Sequence, residues 1–159
     1  MPLRHLLCVI LIALCNHTFA DTNSDKILGK WISTEGNLIV QVYKEKDLFK
    51  AKVIWFDDSG SKKLSMNSRT DSSNPDVSLQ KRKILGLEIL SDLKYNPQTN
   101  RWEDGIIYDP QGGKHWKSFA LINEEGLLKV KGFWKFEFIC KTISFKKIDQ
   151  PVLRPVALN

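Results

Sequence analysis

The sequence predicts an all-β protein: an eight-stranded antiparallel up-and-down barrel with a short N-terminal helical turn and one long loop. Three observations carry this. Apolar and polar residues alternate with a period of two from Leu38 onward. Short turns rich in Gly, Asn, Asp and Pro separate the alternating runs. No stretch has the apolar spacing of a long amphipathic helix. Meandering strands of this length close readily into a barrel, which is either filled by side chains or holds one small ligand. A two-sheet sandwich is the competing architecture.

The chain opens on an export signal. Arg4 is a basic flank, Leu6–Leu14 is an apolar run, and Thr18-Phe19-Ala20 is a small-x-small cleavage site. The run is shorter than the roughly 20 apolar residues that a membrane-spanning helix needs. Residues 1–20 are therefore read as a signal peptide and 21–159 as one domain, working in the periplasm or outside the cell. Cleavage removes Cys8, Cys15, His5 and His17, leaving Cys140 and His115. One Cys forms no internal disulfide, and one His builds no His-rich zinc site. Losing Arg4 from 24 basic residues against 18 acidic ones leaves a net charge of +5.

The elements follow in order. Asn23–Leu28 reads as a helical turn with Ser24 as its cap. Lys30–Thr34 is the first strand, turned by Glu35-Gly36-Asn37. In Leu38–Lys44, Leu38, Val40 and Val42 share a face; in Leu48–Phe56, Phe49, Ala51, Val53 and Trp55 do. Glu45-Lys46-Asp47 between them is hairpin-sized. Asp57–Lys83 is polar, contains Pro75, and reads as a long loop or flap with a short helical piece near Leu79–Lys83. Further strands are Gly86–Tyr95, broken by Ser91-Asp92, then Trp102–Asp109 and Lys114–Ile122. Leu127–Trp134 alternates cleanly, whereas both faces of the last strand, Phe138–Ile148, are mixed. The tail after Asp149 holds Pro151 and Pro155 and reads as extended.

The chemistry-bearing residues form no complete catalytic constellation. A nucleophile needs a base within reach, and the mature chain has one His and no Gly-x-Ser-x-Gly elbow. Gly112-Gly113-Lys114 lacks the full phosphate-loop pattern and leads into a strand. Asp57, Asp58, Asp71, Asn74 and Asp76 are hard-oxygen donors, but their spacing fits no EF-hand, and they read as a solvated turn cluster. The Lys residues are scattered as on a solvated sheet face, with Lys81-Arg82-Lys83 the one basic run. The expectation is a monomeric non-enzyme with no cofactor, no metal, no membrane span and no nucleic-acid partner. The aromatics are more telling. Trp55, Trp102, Tyr108, Trp116 and Trp134 fall on strands and either line a cavity for a small hydrophobic or amphipathic molecule or fill the core. With a filled barrel, the chain reads instead as an envelope structural or protein-interaction module.

One resemblance spans nearly the whole mature chain. Ile27-Leu28-Gly29-Lys30-Trp31, Val42-Tyr43-Lys44 and Val53-Ile54-Trp55 begin it. Asp71-Ser72-Ser73-Asn74-Pro75-Asp76 and Leu85-Gly86-Leu87-Glu88-Ile89-Leu90 continue it. The most specific piece is Trp102-Glu103-Asp104-Gly105-Ile106-Ile107-Tyr108-Asp109-Pro110, followed by Gly113-Lys114 and Leu128-Lys129-Val130-Lys131-Gly132. In that order they resemble the secreted bacterial family known as domain of unknown function 2147, whose members are lipocalin-like barrels. The resemblance implies a calycin-type barrel and no particular reaction. It also implies that a late basic residue covers the first-strand Trp at the closed end. Similar proteins end with Trp and Arg two apart; this chain has Phe145 and Lys147, so Lys147 is expected over Trp31 as a structural cation–π contact.

Overall fold

The computed structural model describes residues 23–59, 65–133 and 140–148. Eight strands follow one another: β1 (Gly29–Ser33), β2 (Leu38–Glu45), β3 (Leu48–Phe56), β4 (Glu88–Asn96), β5 (Arg101–Asp109), β6 (Lys114–Ile122), β7 (Leu128–Phe133) and β8 (Cys140–Ile148). Each pairs antiparallel with the next, and β8 returns to β1, so the sheet is a closed barrel. Closure leaves no open sheet edge for a second chain to extend. The expected export segment 1–20, Trp134, the expected start of the last strand at Phe138 and the tail after Ile148 lie outside the described residues.

Alternation places the inner face. Trp31, Val40, Val42, Phe49, Ala51, Leu90, Leu93, Trp102, Ala120, Leu128, Val130 and Phe145 meet in one core. Register resolves the mixed last strand, because Leu128 pairs with Phe145 and Val130 with Ile143. Directly paired residues share a face, so Phe145 and Ile143 point inward.

Several register shifts let the sheet bend closed, and two of them centre on aspartates. Asp92 and Asp104 adopt left-handed backbone, with φ of 62° and 61°, a conformation Asp tolerates better than most residues. The extra residue lets Leu90 and Leu93, and likewise Trp102 and Gly105, all face inward. The interruption read at Ser91-Asp92 is thus a bulge inside a continuous strand. The strand itself begins at Glu88, although backbone bonds from Gly86 to Val53 and from Val53 to Leu87 extend the pairing.

Two local expectations are corrected. The long loop has 3-10 turns at Met66–Ser68 and Val77–Leu79, not at Leu79–Lys83. Asp76 starts the second turn by accepting the Ser78 N–H, which fixes it earlier in the chain. Ser24 lies within the N-terminal 3-10 turn, Asn23–Ile27, and its hydroxyl donates to Asp25. Its backbone carbonyl is what the fold uses.

Candidate functional site

The two ends of the barrel are built differently. At the closed end, Trp31 and Trp102 are buried side by side with Ile27, Phe49 and Phe145. A buried indole N–H needs an acceptor, and the turn Asn23–Ile27 supplies carbonyls left over by its shortness. Trp31 Nε1 donates to Ile27 O at 2.8 Å, and Trp102 Nε1 to Ser24 O at 3.0 Å. Lys147 Nζ donates to Lys26 O at 3.2 Å and stands 5.6 Å from the centre of the Trp31 ring. The plug expected from Trp31 and Lys147 is therefore in place, stitched to the N-terminal turn.

Toward the other end the inner wall changes character. Ile107, Trp116 and Gly132 share it: a Cβ added to Gly132 would lie 3.4 Å from Ile107 Cδ1 and 3.7 Å from Trp116 Cβ. Gly132 pairs with Lys141, and next to it Val130 pairs with Ile143. Ile143 keeps 40% of its surface exposed although it faces inward. Trp116 and Ile107 are half-buried. Between the two regions sits Ser118, 2% exposed, whose hydroxyl has no hydrogen-bond partner among the described residues. This half offers an accessible apolar wall with one buried hydroxyl at its base.

The sequence-derived ligand residues separate accordingly. Trp116 lies on the accessible inner wall. Trp102 is sealed into the closed end. Trp55 pairs with Ile39; because Leu38 and Val40 point inward, this pair is on the outer face. Tyr108, one residue beyond Ile107, is also outward and is buried beneath the long loop. Trp134 is outside the described residues.

What covers Tyr108 is a polar clip. Asp71, 0% exposed, accepts from Tyr108 Oη at 2.6 Å through one oxygen. Its other oxygen accepts from Asn74 Nδ2 and Arg82 Nε, both at 2.8 Å. The Arg82 guanidinium lies 5.1 Å over the Tyr108 ring, whose far neighbour is the His115 ring at 4.7 Å. Burial alone would push the Asp71 carboxyl up, but donation from Tyr108, Asn74 and Arg82 outweighs it and holds the group below the usual carboxylate range. Burial and the bond to Asp71 push the Tyr108 phenol up. Asp71 and Asn74 are thus no solvated turn cluster; they fasten the loop to the barrel wall. Sequence carried one hint, the run Asp71–Asp76 ahead of a distant Tyr, but the charge that completes the clip lies in a basic run that reads as surface. Gly113 shows how close the loop comes: at φ +62°, its missing Cβ would stand 2.0 Å from Ser73 O.

With this geometry, comparison with known proteins is informative. Residues 29–147 match the bacterial family described as uncharacterized protein conserved in bacteria, DUF2147. The chain belongs to this family. Among solved structures it is similar to protein HP1028 from the human pathogen Helicobacter pylori, described as belonging to the lipocalin family. The two are 22% identical and superpose with a TM-score of 0.63 over 76% of this chain and 82% of the other. Family and fold agree: this DUF2147 member is a lipocalin-like, eight-stranded antiparallel barrel. No curated protein matches it significantly. Among the described residues, no helix is long and apolar enough to cross a membrane.

Proposed function

We propose that this family member is an exported binding protein that holds a small hydrophobic or amphipathic molecule in the open half of its barrel. The observation that carries the reading is Ile143. An inward-facing isoleucine in a closed barrel that stays 40% exposed marks interior wall only partly covered by the described residues. Ile107, Trp116 and the bare backbone of Gly132 extend that wall, and such mostly apolar concave surfaces are where small ligands bind. Export rests on Arg4, the apolar run Leu6–Leu14 and Thr18-Phe19-Ala20, and the working form is a monomer outside the cytoplasm.

Titration with decanoic acid and with a neutral hydrophobic fluorophore tests the reading. Saturable binding near micromolar, about −8 kcal/mol, is expected, with quenching of Trp emission through Trp116. Ile143→Trp, which fills the space, should abolish it. Failure of a broad apolar panel to bind the folded protein would overturn the proposal and leave a filled interaction module.

A further inference from the structure

The barrel carries a second concavity, on the opposite side of its wall. Between the end of the long loop and the outer face of β4, β5 and β6 lies a groove of about 530 Å³. Its outward position follows from register. Leu90 and Ile107 pair on the inner face, so the next pair, Ser91 and Ile106, points outward, as does the pair Tyr108 and His115. Ser91, Ile106, Tyr108 and His115 all line the groove, and Arg82, Lys83 and Leu85 form its other bank. The volume lies within the roughly 300–1,000 Å³ range of small-molecule sites. It is independent of the inner chamber, because the β4–β5 sheet separates them.

The lining is asymmetric. Ile106 gives the barrel side an apolar floor, and the loop bank adds Leu85 beside two cations, Arg82 and Lys83. Glu88 is the acid on the groove, but its carboxylate accepts from Tyr43 Oη at 2.7 Å and stands 3.6 Å from Lys50 Nζ. Asp71 is sealed beneath Arg82. Lys50 is itself held by Glu45 at 2.6 Å and Arg82 by Asp71, so Lys83 is the cation on the groove with no acid partner among the described residues. Arg82 is also held in orientation, by Asp71 on one side and the Tyr108 ring below, so a ligand need not order it.

We propose that this outer groove binds a small amphipathic carboxylate, its head on the Arg82–Lys83 bank and its apolar body against Ile106 and Leu85. Charge-assisted hydrogen bonds from Arg and Lys suit a carboxylate, and with Lys83 exposed and Arg82 half-exposed the binding is salt-sensitive.

The test uses the Ile143→Trp protein, whose inner chamber is filled, titrated with octanoate and, in parallel, with neutral 1-octanol while amide NMR shifts are followed. Octanoate should move Lys83 to Ser91, Ile106 and His115. Lys83→Glu should weaken octanoate about tenfold, the loss of one charge-assisted contact, and leave octanol unchanged. Ser91→Trp, on an outward strand position, should remove octanoate binding from a protein that still folds. The same shifts in the wild-type chain guard against a folding defect in Ile143→Trp. Octanoate and octanol binding equally, shifts confined to the inner wall, or a Ser91→Trp protein that binds as before would each overturn the proposal. None of these outcomes depends on whether the inner chamber takes a ligand.

Discussion

The closed and open ends of this barrel follow opposite rules. At the closed end every buried donor has an acceptor and every large side chain is surrounded: Trp31 is 1% exposed, Trp102 2% and Ile27 0%. Beyond it, Ser118 at the boundary keeps a hydroxyl without a partner among the described residues, and toward the open end Gly132 brings no side chain and Ile143 faces the interior yet meets solvent. The same alternating strands run through both regions, so secondary structure does not make the difference. What differs is the cap. Three carbonyls of the turn at Asn23–Ile27 tie Trp31, Trp102 and Lys147 together at one end. At the other, the described part of the long loop is clipped to the outer wall at Tyr108. Packing is thereby concentrated at the closed end, and the half-buried wall contributes less to stability.

The largest expected effect separates the two ends directly. Trp31→Ala should cost about 3–5 kcal/mol, a large-to-small change in a core that cannot collapse. Trp116→Ala, on the half-buried wall, should cost less than about half of that, since part of its surface is already in water. Urea unfolding of both variants checks the ratio; equal losses would mean that the open half is packed as tightly as the closed one.

Glycines give a finer version of the same comparison. A Cβ at Gly105 would stand 2.6 Å from Leu93 Cδ2 and 2.7 Å from Ser118 Oγ. Gly105→Ala must therefore shift packed atoms and should cost about 1–3 kcal/mol. Gly132→Ala meets its neighbours at ordinary contact distance, the closest at 3.4 Å. It should be neutral or slightly stabilising, because Ala narrows the unfolded ensemble. Thermal melts of the two variants should move in different directions, and a common loss would contradict the roomier upper wall.

How much of this was readable beforehand follows from which forces are local. Strand order, barrel closure and the Trp31–Lys147 contact were legible, because alternation and short turns constrain the chain residue by residue. The inward face of the last strand was not. Ile143 and Phe145 are distinguishable from Thr142 and Ser144 only by pairing with β7, a contact between strands that alternation within one strand does not report. The five aromatic ligand candidates shared a composition but not a location. The bulges at Asp92 and Asp104 and the twist of the closed sheet distribute Trp102, Tyr108 and Trp116 to the buried core, the outer wall and a half-buried stretch of the inner face. The clip was hidden for a different reason. Asp71 and Arg82 look like surface charges until an outward Tyr108, 37 residues from Asp71 in sequence, is placed between them.

That clip gives the most local predicted effect and the sharpest separation of the two regions. Asp71→Asn keeps the shape of the side chain but loses the charge that faces Arg82. Arg82 is about one-third exposed, so it can turn to water, and the cost should be about 1–2 kcal/mol, below that of breaking a fully buried pair. The loss should be local. Hydrogen exchange should speed up at the backbone bonds that close the loop, Asp71 N to Arg82 O and Ile84 N to Arg69 O, while amides around Trp31 and Trp102 stay protected. Acid should reproduce the variant. Because the folded carboxyl of Asp71 is held below its ordinary value, the clip contributes fully above the unfolded Asp pKa of about 3.9. That contribution shrinks as pH falls below this value and is gone once the folded group is protonated. Wild-type exchange at Asp71 and Ile84 should therefore be flat from neutral pH to about pH 4–5 after correction for intrinsic rates, and should rise only in stronger acid. In Asp71→Asn it should already be fast at neutral pH and show no acid step. An acid step of the same size in the variant would assign the pH response to another carboxylate, and loosening around Trp31 would show that the loop and the closed end stabilise one another after all.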